Sequence, residues 1–240
     1  VSFLKPGETC QYEKKMKELE AGVEGALFTD EEFPAVDSSV IQEEEQVDNL
    51  KPFKNVKWLR VGDVPELVKE GKSYLYEGEI EPNDIKQGHL GDCYFLTSLS
   101  CLAEWPIRIR KLFINEEVNK YGIYALKMFY NGRAIEVVID DFIPCTNDNR
   151  PKFSRANGPE LWVVILEKAW AKIHGCYERI AAGNTYLTIR DLTGAPGYYW
   201  LKIDDSLWDK ILAFDKKDYP MSCSIHDSEC IIPSGHQEAN

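Results

Sequence analysis

The chain has 240 residues, of which 44% are hydrophobic and 12% are aromatic, so it can bury a full hydrophobic core. This composition excludes global disorder, a collagen-like fold and a low-complexity repeat protein. The net charge is −12, from 28 Lys and Arg against 40 Asp and Glu, which argues against nucleic acid or an anionic membrane as the main partner.

The first fifth of the chain is strongly acidic. Residues 1–50 contain 13 Asp and Glu but only 4 Lys, a net charge of −9. Within this region, residues 12–21 are rich in Glu, Lys, Met and Leu, which predicts one solvated helix. Two aromatic residues at 28–34 are expected to attach this acidic segment to a larger body.

The middle of the chain contains two helix signals and one hairpin signal. After Gly91-Asp92, apolar residues recur at helical spacing, which predicts a buried helix from Cys93 to Ala103 with Asp92 as its N-cap. Asn131-Gly132 separates the β-prone runs 121–130 and 133–139, and such a pair is a strong hairpin signal.

A second helix is predicted over 161–173, with Pro and Glu from 157–160 in its first turn. Residues 174–200 are predicted to form a loop. Gly194–Gly197 is a candidate hinge between two lobes. In the remainder, a short helix is expected near 207–213 and a strand over 222–225.

The cysteines and the hydropathy indicate a cytoplasmic protein. No run approaches the roughly 18 apolar residues of a transmembrane helix, and no signal peptide is visible. Seven cysteines are present without a CxxC pair, at positions 10, 93, 101, 145, 176, 223 and 230. Scattered cysteines in an odd number, with no secretory signal, are typical of reduced intracellular thiols.

Cys93 is a candidate nucleophile, because the dipole and free N–H groups of a first helical turn favour the thiolate. The alternative is a cysteine that packs as a small hydrophobic residue. A thiol protease also needs an imidazole, and His226 and His236 lie 133 and 143 residues downstream, within the range of papain-like enzymes. Gln87 can donate to an oxyanion if the intervening loop, which contains two glycines, folds back.

The sequence QGHLGDCYFL at 87–96 resembles the catalytic-cysteine signature of calpains, the calcium-dependent papain-like cysteine proteases. Other segments resemble calpain segments in the same order, from about residue 28 to residue 200. They are FTDEEFP (28–34), VIDDFIP (138–144), FSRANGPELW (153–162), LEKAWAKIHGCY (166–177) and DLTG (191–194).

The resemblance implies an α+β, papain-like cysteine protease fold. Its α-rich first lobe would carry the cysteine on a central helix, and its β-rich second lobe would be incomplete in this chain. The expected division is an acidic N-terminal extension at 1–27, a first protease lobe at 28–193 and a partial second lobe at 194–240.

The resemblance also implies roles for individual residues. Cys93 would be the nucleophile and Gln87 an oxyanion-hole donor. His236 would be the general base in preference to His226, because PSGH at 233–236 resembles the Gly-His that begins the catalytic strand. The chain departs from the family after this point, since Asn240 follows four residues later and is too close to be the orienting asparagine of the triad.

Two function hypotheses therefore remain from the sequence. The first is a calcium-dependent endopeptidase that cuts protein substrates at limited sites, with regulatory domains or a subunit outside this chain. The second is a catalytically impaired, calpain-like scaffold or regulatory binding module that lacks the triad asparagine.

A calcium ion is implied by the resemblance, with Asp84 and Glu167 as carboxylate ligands in the first lobe. Oxygen ligands from separate segments suit Ca²⁺. The alternative for Glu167 is an ion pair with Lys168 or Lys172 on its own helix. A zinc site is a weaker alternative elsewhere, because four soft ligands lie within 14 residues but at spacings that match no standard zinc motif: Cys223, His226, Cys230 and His236.

Overall fold

The computed structural model describes residues 1–5, 10–42, 51–200 and 204–224. It divides into two compact units, Val1–Ile203 and Asp204–Asn240. Helices and antiparallel strands are mixed along the chain, which confirms an α+β class. The finer division into an extension and two lobes stays a prediction.

The helices of the described residues have the following bounds. They are α1 (Gln11–Ala21), α2 (Asp37–Val40), α3 (Cys93–Ala103), α4 (Pro106–Arg110), α5 (Trp162–His174), α6 (Thr185–Thr193) and α7 (Asp205–Asp215). Short 3₁₀ helices lie at Lys51–Phe53, Val61–Asp63, Pro65–Leu67, Pro82–Asp84 and Glu178–Ile180. None of the helices in these ranges is long and apolar enough to cross a membrane.

The strands form two small antiparallel sheets. They are β1 (Ser2–Phe3), β2 (Lys57–Arg60), β3 (Ile123–Tyr130), β4 (Arg133–Asp140) and β5 (Phe142–Cys145). One sheet has the order β1-β4-β3, and the other pairs β2 with β5. Helices α5 and α6 pack on the larger sheet.

The predicted hairpin is confirmed, and its register places two sets of side chains on opposite faces. Tyr130 pairs with Arg133 around Asn131-Gly132, and both turn residues have positive φ, as a tight hairpin turn requires. Because side chains alternate along a strand, one face of the hairpin packs into the main core. The other face forms a second apolar cluster.

The second cluster binds the N-terminal helix. Helix α1 is confirmed, but it is not free in solvent, because Tyr12, Met16 and Leu19 pack against this face of the sheet. Its N-cap residue is Cys10, which makes no side-chain cap. The buried carboxylate of Glu136 on β4 replaces that cap by accepting hydrogen bonds from the N–H groups of Gln11 and Tyr12, both at 2.7 Å.

The structure corrects two predictions in the second half of this unit. Helix α5 begins at Trp162, so Pro159 and Glu160 precede its first turn. Residues 185–193, predicted as loop, form α6, whose N-cap Asn184 accepts a hydrogen bond from the N–H of Tyr186 at 3.1 Å. The helix ends at Gly194, which is left-handed, so this glycine is a helix terminator rather than a demonstrated hinge.

The second unit contains the predicted helix near 207–213. Helix α7 begins after Asp204, whose side chain accepts a hydrogen bond from the N–H of Leu207 at 3.1 Å. The strand predicted at 222–225 is not formed over 222–224, and residue 225 lies outside the described residues.

Two buried lysines attach α5 to the sheet. Lys168 is fully buried and pairs with the Asp140 carboxylate, and it also donates to the Phe142 carbonyl at 2.6 Å. One turn later, Lys172 donates to both carboxylate oxygens of Asp30 and to the Val138 carbonyl, each at 2.8 Å. Burial lowers the pKa of Lys168, and the charge of Asp140 opposes this shift. The Lys168–Asp140 contact therefore keeps two charges paired in the core.

We expect Lys168→Met to lower the free energy of unfolding by about 3–5 kcal/mol, because it leaves the carboxylate of Asp140 buried without its cation. The measurement is urea denaturation in calcium-free buffer. The matched control is Lys69→Met, which removes the exposed Lys69–Glu77 pair and should leave stability unchanged within error. Equal losses in the two variants would contradict a structural role for the buried pair.

Candidate active site

The candidate nucleophile lies at the first residue of α3. The helix buries a stripe of apolar side chains in the core: Phe95, Leu96, Leu99, Leu102 and Ala103. Cys93 is outside this stripe, and its thiol is exposed. The packing of α3 therefore holds the cysteine at the surface, at the N-terminal end of the helix.

The loop before Cys93 is held against the segment around Phe153. The backbones of Lys86 and Arg155 exchange two hydrogen bonds, at 2.8 and 3.0 Å. A Cβ on Gly88 would lie 1.9 Å from the carbonyl oxygen of Phe153. Glycine is required here by this close approach of two backbones, and its φ is not in the left-handed region.

The same loop folds back on itself through Gln87. Its side-chain N–H₂ donates to the carbonyl oxygen of Leu90 at 2.7 Å. A glutamine amide has two N–H donors, and this contact uses one of them. At the end of the loop, a Cβ on Gly91 would lie 2.7 Å from the carbonyl oxygen of Ala181, so a second close approach fixes the turn that leads into Cys93.

Asp92 occupies the N-cap position of α3, as predicted, but its side chain does not cap the helix. Its backbone has φ −94° and ψ 26°, which differs from the extended conformation of a typical N-cap. The carboxyl group is fully buried, within hydrogen-bonding reach of Glu167. Burial raises the pKa of Asp92 to about 6.

Glu167, the predicted calcium ligand, lies on the buried face of α5. Its carboxylate accepts a hydrogen bond from the N–H of Ser154 at 2.9 Å and interacts with Asp92. Burial raises the pKa of Glu167 well above its usual value, and the neighbouring charge of Asp92 raises it further. These contacts place Glu167 next to Asp92, the residue before the candidate nucleophile.

Asp84 interacts with a different glutamate. It ends a 3₁₀ helix, where its side chain accepts a hydrogen bond from the N–H of Glu81 at 2.8 Å. Burial raises the pKa of Glu160, and the charges of Asp84 and Glu77 contribute to the same shift. The structure therefore brings Asp84 into electrostatic contact with Glu160.

Glu160 has a defined position at the start of α5. One carboxylate oxygen accepts from the N–H of Glu77 at 2.6 Å, and the other accepts from the indole of the buried Trp162 at 2.9 Å. The sequence predicts Glu160 only as part of a helical turn, and these contacts were not predicted. The useful signal was the neighbouring tryptophan, since a buried indole N–H requires an acceptor.

The described ranges contain no group of three or more His, Cys, Asp or Glu side chains that are placed to hold a metal ion. A cation near Asp84 and Glu160 would therefore need backbone carbonyl oxygens as further ligands, a combination that calcium accepts. For the zinc alternative, Cys223 is an exposed free thiol, and the other three ligands lie outside the described residues.

The predicted general base cannot be placed, because both His226 and His236 lie outside the described residues. The two histidines within them make backbone contacts. Nδ1 of His89 lies 2.9 Å from the carbonyl oxygen of Lys152, and Nδ1 of His174 lies 2.8 Å from that of Trp170.

Comparison with known proteins identifies related sequences over most of this chain. The model of a family described as calpain family cysteine proteases matches residues 28–236. The calpain-type cysteine protease DEK1 of Arabidopsis thaliana is 34% identical over 93% of this chain, and the matched region is 11% of the relative.

Two animal calpains are similar to the same region. The calpain-2 catalytic subunit of Bos taurus is 33% identical over 86% of this chain, and Calpain-B of Drosophila melanogaster is 30% identical over 88%. The matched regions are 30% and 23% of those proteins, so this chain spans less than a third of their length. The extent of the family match and the agreement among these relatives show that the chain belongs to the calpain family of cysteine proteases.

Proposed function

We propose that this chain is the protease core of a calcium-dependent endopeptidase whose nucleophile is Cys93. The observation that carries the proposal is an exposed thiol at the first residue of the buried helix α3, in a member of a cysteine protease family. The family membership supports proteolysis, and the position of the thiol supports its assignment as the nucleophile.

The proposed reaction divides peptide hydrolysis into two steps. The Cys93 thiolate attacks the scissile carbonyl carbon, and the resulting oxyanion accepts hydrogen bonds from the Cys93 N–H and the Gln87 amide. The imidazolium of His236 protonates the leaving amine as the carbon–nitrogen bond breaks. Water then attacks the thioester, with His236 accepting its proton, and this second step releases the acid and restores the thiolate and the imidazolium.

Asp84 and Glu160 are the proposed calcium ligands, with Glu160 in place of Glu167. Their mutual charge repulsion and the burial of Glu160 support the assignment, since a hard cation between two carboxylates would relieve both costs. When bound, calcium would supply positive charge that connects the 77–84 segment to the start of α5.

The substrates we propose are extended segments of other proteins, cut in the reducing environment of the cytoplasm. The greater length of the relatives supports further domains or a regulatory subunit around this core.

We expect iodoacetamide to alkylate Cys93 faster than any other cysteine at pH 6–7. Cys145 should be the slowest of the described thiols, because it is buried and burial raises its pKa to about 12. The measurement is site-resolved mass spectrometry after limiting treatment, with and without calcium. The matched control is Cys223, which is also exposed but is not at a helix terminus. A Cys93 rate no higher than that of Cys223 would refute the nucleophile assignment and favour a binding module.

Calcium should raise the thermal unfolding midpoint, because a ligand that binds only the folded state stabilises it. We expect Asp84→Asn and Glu160→Gln to abolish most of this calcium-dependent shift, since each removes a charged ligand. Glu167→Gln should keep it. The measurement is differential scanning calorimetry across a calcium titration, with Asp148→Asn as an exposed-carboxylate control. Loss of the shift in Glu167→Gln alone would restore Glu167 as the ligand.

A further inference from the structure

The buried side of the nucleophile turn contains two carboxyl groups that face each other. Asp92 immediately precedes Cys93 and is fully buried, and Glu167 on α5 is 2% exposed. Neither oxygen of Asp92 has a hydrogen-bond donor among the described residues. The group within hydrogen-bonding reach is the side chain of Glu167.

Two ionised carboxylates cannot satisfy each other, because both are acceptors only. A single proton changes this, since a carboxylic acid donates to the carboxylate beside it. Sharing a proton is the usual state of paired carboxyl groups in an enclosed site. Glu167 also accepts the N–H of Ser154, so it has a fixed anchor from which to bind Asp92.

We propose that Asp92 and Glu167 share one proton at neutral pH and that this acid–carboxylate pair positions the Cys93 turn against α5. The proposal rests on the assignment of Cys93 as the nucleophile and deepens it by naming two positioning residues. The pair holds the backbone of Asp92 in place from the buried side of the turn, and this orients the adjoining Cys93 N–H and thiol.

The shared proton also limits the negative charge next to the thiol. With one proton the pair carries a single negative charge rather than two, and a second negative charge at Asp92 would disfavour the neighbouring thiolate. Two tyrosines interact with the pair: Tyr94 with Asp92, and Tyr177 with both carboxyl groups. Burial raises the pKa of both phenols, so they remain neutral.

Glu167 borders a small cavity whose lining is mostly apolar. A cavity of about 10 Å³ is lined by Ser154, Glu167 and Tyr177 among apolar residues. This volume is at the lower limit for one water molecule. The hydroxyl groups of Ser154 and Tyr177 have no hydrogen-bond partner within the described part of the chain. Asp92 and Glu167 are themselves buried, so both carboxyl groups are removed from bulk solvent.

The proposal is tested in the full chain with isosteric and apolar variants of Glu167. In Glu167→Gln, the amide N–H₂ donates to Asp92 in place of the shared proton, whereas Glu167→Leu offers no donor. We expect the rate of Cys93 alkylation at pH 7 to stay within about threefold of the parent in the glutamine variant and to fall about tenfold or more in the leucine variant. Asp92→Asn, which donates to an ionised Glu167, should behave like the glutamine variant.

Infrared difference spectroscopy gives a readout that does not depend on thiol chemistry. The parent should show the C=O stretch of a protonated carboxyl group at pH 7, and this band should be lost in both Glu167→Gln and Asp92→Asn. An unchanged band in both variants would overturn the shared proton. Because this measurement uses only Glu167→Gln and Asp92→Asn, it tests the shared proton even if Glu167→Leu fails to fold.

The combined outcomes separate this proposal from the proposed function. If the band is lost as expected but Cys93 is unreactive in the parent, the pair stands and the nucleophile assignment fails. If Cys93 is reactive but alkylation falls equally in the glutamine and leucine variants, the donor role of the pair is wrong. If Glu167→Leu keeps the parent rate, the positioning role is wrong.

Discussion

The arrangement of the first unit depends on how charged side chains of α5 are neutralised inside the core. Lys168 and Lys172 reach the sheet and the segment before α2, where Asp140 and Asp30 pair with them. Removing a charge from water costs more than a single contact returns, so each lysine needs both a carboxylate and carbonyl oxygens. These requirements fix the rotation of α5 about its axis and its height on the hairpin.

Once the position of α5 is fixed, its other side chains determine how the helix that carries Cys93 packs. Glu167 is adjacent in sequence to Lys168, so the rotation that buries the lysine also directs the glutamate toward Asp92. Phe95 of α3 stacks on Trp170 of α5, with ring centroids 5.3 Å apart. The cysteine helix is therefore located by apolar packing along its length and by a polar contact at its first turn.

The elements with strong local signals could be predicted from the sequence. The hairpin turn, α3 and the central part of α5 follow from turn chemistry and periodicity, which act over a few residues. Helix α6 was missed although Asn184 and Gly194 mark its ends, because it is less apolar overall than α3 and α5. The contacts made by the side chains of Asp92, Glu160 and Glu167 could not be predicted, because each depends on a partner that is distant in the sequence. The N-cap rule located Asp92 but not its side chain, and the helix pattern could not tell which glutamate meets Asp84.

The close packing of Gly88 against Phe153 has a consequence for the synthesis of the chain. The two residues are 65 positions apart, and Glu167 follows Asp92 by 75 positions. A ribosome that adds about 5–20 residues per second needs several seconds to cover that interval. During this time the nascent polypeptide already contains Cys93 but lacks the segment that shapes the loop around it. The Cys93 thiol is thus synthesised before the segment that packs against the loop beside it.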